Sequence, residues 1–131
     1  MRIERRFTRD GGDAYESFEF RTVTSEIRNP DGSVVFQQSD ISVPAAWSQV
    51  AADILAQKYF RKAGVPAALK AVEDHKTPSW LWRRTADTAT LERMPRERRT
   101  VGENDARQVF DRMAGTWTWW GWQAGYFDSE A

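Results

Sequence analysis

Apolar and polar residues alternate along the first part of the chain, a pattern typical of β-strands. In the segment SFEFRTV, Phe18 and Phe20 alternate with Glu19 and Arg21, which predicts a strand with one buried face. The segment RIERRF, which begins at Arg2, shows a weaker version of the same alternation. The start of the chain is therefore predicted to be β-rich.

A turn signal separates the predicted strand from a second one. In NPDG, residues 29–32, Pro30 presets the backbone for a turn and Gly32 accepts a positive φ. SVVFQQ follows as a returning strand, and DISV, residues 40–43, is a candidate for a further short strand. Residues 1–43 are therefore predicted to form a small antiparallel sheet with at least one hairpin.

The spacing of apolar residues changes after Val43 to that of an amphipathic helix. Apolar residues recur at intervals of three and four across residues 44–62, and Pro44 suits a first helical turn. Gly64 and Pro66 follow as residues that end helices. We therefore predict a first long helix over residues 44–62.

A second helical pattern covers residues 104–124, with Asn104 as the expected N-cap. Trp119 and Trp122 are predicted to project from the side opposite the core. The predicted core stripe lies within about 100° on a helical wheel and consists of Ala106, Val109, Phe110, Met113, Trp117 and Trp120.

The connection between the two predicted helices has weaker signals. AALKAVED, residues 67–74, is a candidate for a short helix, and RMPRERRT, residues 93–100, has the composition of a solvated loop. In the irregular segment KTPSWLWRR, Trp80 and Trp82 are expected to pin the chain to the core. The predicted fold class is α+β, with the N-terminal sheet packed on two long helices. The alternative is a largely helical domain with a loosely attached N-terminal hairpin.

The tryptophan-rich helix predicts a surface that a second layer covers. Four of the seven tryptophans lie between Gly115 and Trp122, more than one core face can bury. Gly115 and Gly121 each cost about 1 kcal/mol against alanine in a helix, so they indicate close approach of another backbone. A domain interface formed by these two glycines with Trp119 and Trp122 is favoured over stacking of bases or sugars, because stacking sites normally add positive charge.

Composition excludes several classes of function. The 131 residues contain 19 basic and 19 acidic side chains, which disfavours nucleic acid as a partner, and no cysteine, which excludes thiol chemistry within this chain. His75 has no histidine or cysteine partner in the sequence, so no catalytic, cofactor-binding or metal-binding residue is predicted. The charged N-terminus is not a secretory signal, and no apolar run is long enough to span a membrane. We therefore expect a cytoplasmic protein of a single domain, residues 1–131.

Three segments resemble the N-terminal region of class II, adenosylcobalamin-dependent ribonucleotide reductases, most closely the long bacterial form. These segments are VPAAWSQVAADILAQKYFRKAGVP at 43–66, PSWLW at 78–82 and DARQVFDRMAGTWTWWGWQAGYFDSEA at 105–131. In that family a cysteine in a catalytic α/β barrel carries the radical that cobalamin initiates, and further cysteines supply reducing equivalents. This chain has no cysteine. The resemblance therefore carries no catalytic role onto any of its residues.

The resemblance implies an accessory domain that packs on a downstream catalytic barrel, with adenosylcobalamin bound only in the full-length enzyme. Asp128 or Ser129 would cap a further helix with Glu130 in its first turn, so we expect the chain to continue past Ala131. Two alternatives stay open: a module that docks on a separate reductase chain, and a nucleotide- or nucleic-acid-binding module that uses tryptophans and the loop Arg93–Arg99. Self-association is a further open question.

Overall fold

Two groups of segments each form their own internal contacts in the computed structural model, which describes residues 1–129. The hairpin unit comprises Ile3–Phe60 and Asn104–Val109. The tryptophan unit comprises Met1–Arg2, Arg61–Glu103 and the described chain from Phe110 onward. The organisation as one domain stays a prediction. The helix expected to begin near Asp128 depends on Glu130, which lies outside the described residues.

The hairpin unit is built on two antiparallel strands, β1 (Phe20–Arg28) and β2 (Val34–Pro44). The predicted turn joins them: the Gly32 amide donates to the Asn29 carbonyl at 2.9 Å, and Gly32 has a φ of 86°. That φ lies in the left-handed region, which glycine adopts without steric cost. The turn is confirmed. A strand forms as predicted, but it begins at Phe20 and buries Val23 and Ser25, whereas Phe18 is 59% exposed. RIERRF forms no strand.

A bulge divides β2 at Asp40. The register passes from Val23 opposite Ile41 to Ser25 opposite Gln38, and Asp40 has a φ of 56°. Aspartate is among the few residues that tolerate this backbone conformation. The segment DISV is therefore the continuation of β2 beyond the bulge, and the prediction of a separate strand there is wrong.

Helix α1 is shorter than predicted. It spans Gln49–Ile54 and continues as a π-helical turn, Leu55–Tyr59. Ser48 is the N-cap, and its side chain accepts a hydrogen bond from the Ala51 amide. Pro44 instead ends β2, where it pairs with Phe20. The predicted bounds 44–62 are thus wrong at both ends. The helix begins after the cap at Ser48 and ends at Tyr59, since the backbone at Phe60 is extended.

The long helix α3 spans Ala106–Gln123, which confirms the second predicted helix. Its start is a reciprocal cap: the Asp105 carboxylate accepts from the Arg107 amide at 2.9 Å, and the Gln108 side chain accepts from the amides of Asn104 and Asp105 at 2.9 and 3.0 Å. The cap is therefore Asp105, one residue later than predicted. Asp105 also forms a 2.6 Å ion pair with Arg107.

The tryptophan unit contains only short strands. β3 (Val65–Pro66) pairs with β6 (Thr100–Val101), and β4 (Leu69–Ala71) pairs with β5 (Arg84–Ala86), both antiparallel. The short helix α2 (Thr88–Glu92) and two 3₁₀ turns (Ser79–Leu81 and Arg96–Arg98) complete the unit. AALKAVED therefore contributes a strand, and its predicted helix is wrong. The α+β class is confirmed, with one long helix in place of two.

A buried carboxylate ties three segments of the tryptophan unit together. Glu103 is 3% exposed, and its side chain accepts from the Arg61 amide at 2.8 Å and from the Arg112 guanidinium at 2.9 and 3.2 Å. The Glu103 amide donates in turn to the Arg61 carbonyl at 2.8 Å. We call this arrangement the Glu103 clamp.

Electrostatics keep the clamp ionised. Burial by itself would raise the pKa of Glu103, but the hydrogen bonds from Arg112 and from the Arg61 amide outweigh it and hold that pKa below its ordinary value. A depressed pKa stabilises the folded state above the pKa of the unfolded chain, about 4.3 for glutamate. This contribution is lost as the pH falls through the folded-state pKa of Glu103.

We predict that Glu103→Gln lowers the free energy of unfolding at neutral pH by about 3 kcal/mol, because it leaves the partly buried Arg112 without its counter-charge. The difference from the wild type should shrink as the pH falls through the depressed folded-state pKa of Glu103, where its carboxylate becomes protonated. Urea denaturation of the 131-residue chain at a series of pH values, followed by tryptophan fluorescence, measures both effects.

The matched control is Glu97→Gln, the same chemical change at an exposed position of the second 3₁₀ turn. It should leave the free energy of unfolding almost unchanged at every pH. A Glu103→Gln variant as stable as this control at neutral pH would show that the clamp does not stabilise the fold.

Candidate functional site

The C-terminal part of α3 exposes two large aromatic side chains. Trp117 is 61% exposed and Trp120 is 59% exposed, although both were predicted to lie in the core. That prediction is wrong. Of the predicted stripe, Ala106 and Val109 are buried, and Phe110 is 37% exposed. The predicted stripe is therefore fully buried only over the first turn of the helix.

The opposite side of α3 contacts the segment Asp74–Arg83 of the same unit. The Trp122 indole N–H donates to the Lys76 carbonyl at 2.8 Å, and the Arg83 guanidinium lies 5.5 Å from the ring centroid of Trp119. Gln123 adds a 3.1 Å hydrogen bond to the Thr77 hydroxyl. Trp119 and Trp122 thus have partners within their own unit. Their role in an interface with a second layer stays a prediction.

The segment that receives Trp122 is ordered by its own hydrogen bonds. The Asp74 carboxylate accepts from the Lys76 amide at 3.0 Å and from the Thr77 hydroxyl at 2.6 Å. The Trp82 indole N–H donates to the carbonyls of Asp74 and Thr77 at 3.0 and 2.9 Å. Hydrogen bonds from Thr77 and Lys76 lower the pKa of Asp74. Trp82 therefore anchors this segment as predicted. Trp80 is 64% exposed, so the prediction that it anchors the segment to the core is wrong.

The two glycines of the predicted interface differ in their surroundings. A Cβ on Gly121 would lie 2.7 Å from the Phe127 ring, whereas a Cβ on Gly115 would meet nothing within 4 Å. Phe127 reaches Gly121 because α3 ends in a left-handed turn: Gly125 has a φ of 71°, and the Tyr126 amide donates to the Gly121 carbonyl at 2.9 Å. The close neighbour of Gly121 is therefore a side chain of the same unit. The predicted approach of another backbone stays a prediction.

Comparison with known proteins decides the family. The family model for class II vitamin B12-dependent ribonucleotide reductase matches residues 21–131. The chain belongs to this family. It is 61% identical over 130 residues to the vitamin B12-dependent ribonucleotide reductase of Agrobacterium fabrum and 58% identical over 130 residues to that of Bradyrhizobium diazoefficiens. A relative from Rhodopirellula baltica is 28% identical over 132 residues.

The match covers nearly all of this chain and a small part of each reductase. It spans 99% of the chain but 10% of the Agrobacterium and Bradyrhizobium proteins, and 98% of the chain but 9% of the Rhodopirellula protein. The chain therefore corresponds to the N-terminal domain of a class II reductase, at about a tenth of the length of these relatives.

The residues of this reductase domain offer little for radical or metal chemistry. The sequence contains no cysteine and a single histidine. Within residues 1–129, His75 is exposed, and no three histidine or carboxylate side chains gather as a metal site. None of the helices in that range is long and apolar enough to cross a membrane. No step of the reductase chemistry is therefore placed on these residues.

Sequence reasoning missed the exposed face of α3 in this reductase domain. The face contains Phe110, the half-buried Met113, Trp117 and Trp120, with Ala124 directly after the end of the helix. Two signals were available: the steps of three, four, three and four between these residues, and the lack of any charged residue from Met113 to Gly125. Most of these residues belong to the predicted core stripe. A helical wheel shows which residues share a face, but it does not show which face is covered.

We predict opposite effects for alanine at the two helical glycines. Gly115→Ala should stabilise the domain by about 0.5–1 kcal/mol, since alanine favours the helix and nothing obstructs its Cβ. Gly121→Ala should destabilise it by about 1 kcal/mol, because the Phe127 ring must leave its place against the helix. Urea denaturation of the two variants beside the wild type provides the measurement. Equal shifts for both variants would contradict the contact between Phe127 and Gly121.

Proposed function

We propose that this chain is the non-catalytic N-terminal domain of an adenosylcobalamin-dependent ribonucleotide reductase, an enzyme that reduces ribonucleotides to deoxyribonucleotides for DNA synthesis. The observation that carries the proposal is the match of 99% of this chain to 10% of a vitamin B12-dependent ribonucleotide reductase. In this proposal the domain packs on the catalytic barrel, and the enzyme works in the cytoplasm.

The residue inventory supports a non-catalytic role. Adenosylcobalamin would supply the initiating radical in the full-length enzyme. The hydrogen abstraction and the reducing equivalents expected for the family then require cysteines, of which this chain has none. The Glu103 clamp uses its charges within the fold: the Glu103 carboxylate accepts from the Arg112 guanidinium and from the Arg61 amide. The domain is therefore proposed to contribute packing and stability.

One observation supports a nucleotide-binding alternative. Trp117 and Trp120 lie one helical turn apart and are both exposed, so they could stack against bases. However, Met113 to Gly125 carry no charged side chain, whereas stacking sites for nucleotides usually add cations for the phosphates. We therefore favour contact with protein over contact with nucleotide.

We predict that removal of residues 1–131 from the full-length reductase lowers its thermal midpoint, because the barrel loses the layer that covers part of its surface. The 131-residue chain alone should neither reduce ribonucleotides nor change the absorption spectrum of micromolar adenosylcobalamin. Scanning calorimetry of both enzyme forms and a spectral titration of the chain measure these outcomes.

Each arm of this experiment can contradict the proposal. An unchanged thermal midpoint after deletion would remove the packing role, and tight cobalamin binding by the isolated chain would show that the domain takes part in the chemistry. Quenching of tryptophan fluorescence by ribonucleotides would favour the nucleotide-binding alternative. Recovery of the native chain at 15.1 kDa, bound to a separate reductase chain, would favour the stand-alone docking module instead.

A further inference from the structure

An uncharged face runs along the exposed side of α3. Phe110, Met113, Trp117, Trp120 and Ala124 follow each other in steps of three, four, three and four residues. This is the spacing by which one helix packs along another at a shallow angle. We call these five residues the α3 face. No charged residue occurs from Met113 to Gly125, although 29% of the chain is charged.

The threonine hydroxyls beside the α3 face already donate hydrogen bonds within the helix. The Thr116 hydroxyl donates to the Arg112 carbonyl at 2.5 Å, and the Thr118 hydroxyl donates to the Ala114 carbonyl at 2.8 Å. Each threonine thus satisfies its donor on the carbonyl four residues earlier. A partner could cover these threonines without leaving a buried hydroxyl donor unpaired, which would cost about 1–3 kcal/mol each.

The exposed area limits what can cover this face. At up to about 250 Å² for a whole tryptophan, the exposed parts of Trp117 and Trp120 amount to roughly 300 Å². A free-standing interface needs about 800 Å² from each partner. A segment of the same polypeptide needs less, since tethering raises its effective concentration to about the millimolar range. In the relatives the matching segment is part of one chain about ten times longer.

We infer that the α3 face is the surface by which this domain docks on the rest of the reductase, and that it receives an α-helix from that part of the chain. The inference rests on the proposed function and adds to it the face and the kind of partner. It assigns the docking role to Trp117 and Trp120. Trp119 and Trp122 belong instead to the packing of the domain against its own segment Asp74–Arg83.

The first test compares the chemical reactivity of tryptophans in two forms of the wild-type protein. Hydroxyl-radical oxidation, followed by mass spectrometry, is applied to the 131-residue chain and to the full-length reductase that carries it. Trp117 and Trp120 should react about fivefold more slowly in the reductase, since interface cores pack as densely as protein interiors. Trp80, which is 64% exposed and lies outside the α3 face, is the internal control and should react equally in both.

The outcomes separate this inference from the proposed function. If Trp117 and Trp120 react equally in both forms while deletion of residues 1–131 lowers the thermal midpoint, the docking face is wrong and the proposed function stands. If the deletion has no effect, the packing role in the proposed function is wrong, and the docking inference that rests on it falls as well. Protection that develops in the isolated chain as its concentration rises would identify a second copy as the occupant, which also overturns the inference.

A second test uses variants of the full-length reductase. The double variant Trp117→Ala/Trp120→Ala should raise the undocked fraction about 30-fold, the loss expected for tryptophans at the centre of an interface. Hydrogen exchange at the α3 amides reports this fraction. Trp80→Ala is the matched control and should leave the exchange unchanged. In the isolated chain, both variants should unfold at the wild-type midpoint, because the replaced side chains are largely exposed. Unchanged exchange in the double variant would overturn the inference.

Discussion

The tryptophan unit depends on one buried carboxylate. Its strands are two or three residues long, too short to hold a sheet together by themselves. Glu103 joins the chain at Arg61 to Arg112 on α3, and it satisfies both with an ionised side chain. The neighbouring Gly102 makes this possible, because a Cβ there would lie 2.8 Å from the Lys62 carbonyl oxygen. A side chain at that position would push the two backbone segments apart and break the clamp.

The clamp has a consequence for the faces of α3. Arg112 on α3 binds Glu103, and the helix turns toward Asp74–Arg83 the side that carries Trp119 and Trp122. The carbonyl of Lys76 accepts from the Trp122 indole N–H. The polar end of this side chain is therefore hydrogen-bonded on the side of the helix that faces the segment. Trp117 and Trp120 are left facing outward. These contacts within the tryptophan unit thus accompany the exposure of Trp117 and Trp120, the residues to which the docking proposal assigns the interface.

The elements that sequence reasoning predicted well are those with a local cause. The hairpin turn follows from Pro30 and Gly32, and α3 follows from a long run of residues at helical spacing. The errors lie where a distant contact overrides the local pattern. Pro44 suits a helix start in isolation, but its pairing with Phe20 keeps it in a strand. AALKAVED suits a short helix, but its middle pairs with Arg84–Ala86 as a strand. The cap of α3 differs for a local reason: the carboxylate that accepts from the Arg107 amide is that of Asp105, one residue after Asn104.

Residue types and their spacing suffice to exclude thiol chemistry, to predict a mixed α and β protein, and to show that the tryptophan-rich helix has more aromatic surface than one core can bury. These conclusions need only residue identities and the periodicity of the helix. Which side of α3 is covered depends on contacts that form in the folded chain. A helical wheel does not distinguish the two sides of α3, because each side carries two tryptophans. The choice is made by hydrogen bonds between residues far apart in sequence, from Arg112 to Glu103 and from Trp122 to Lys76.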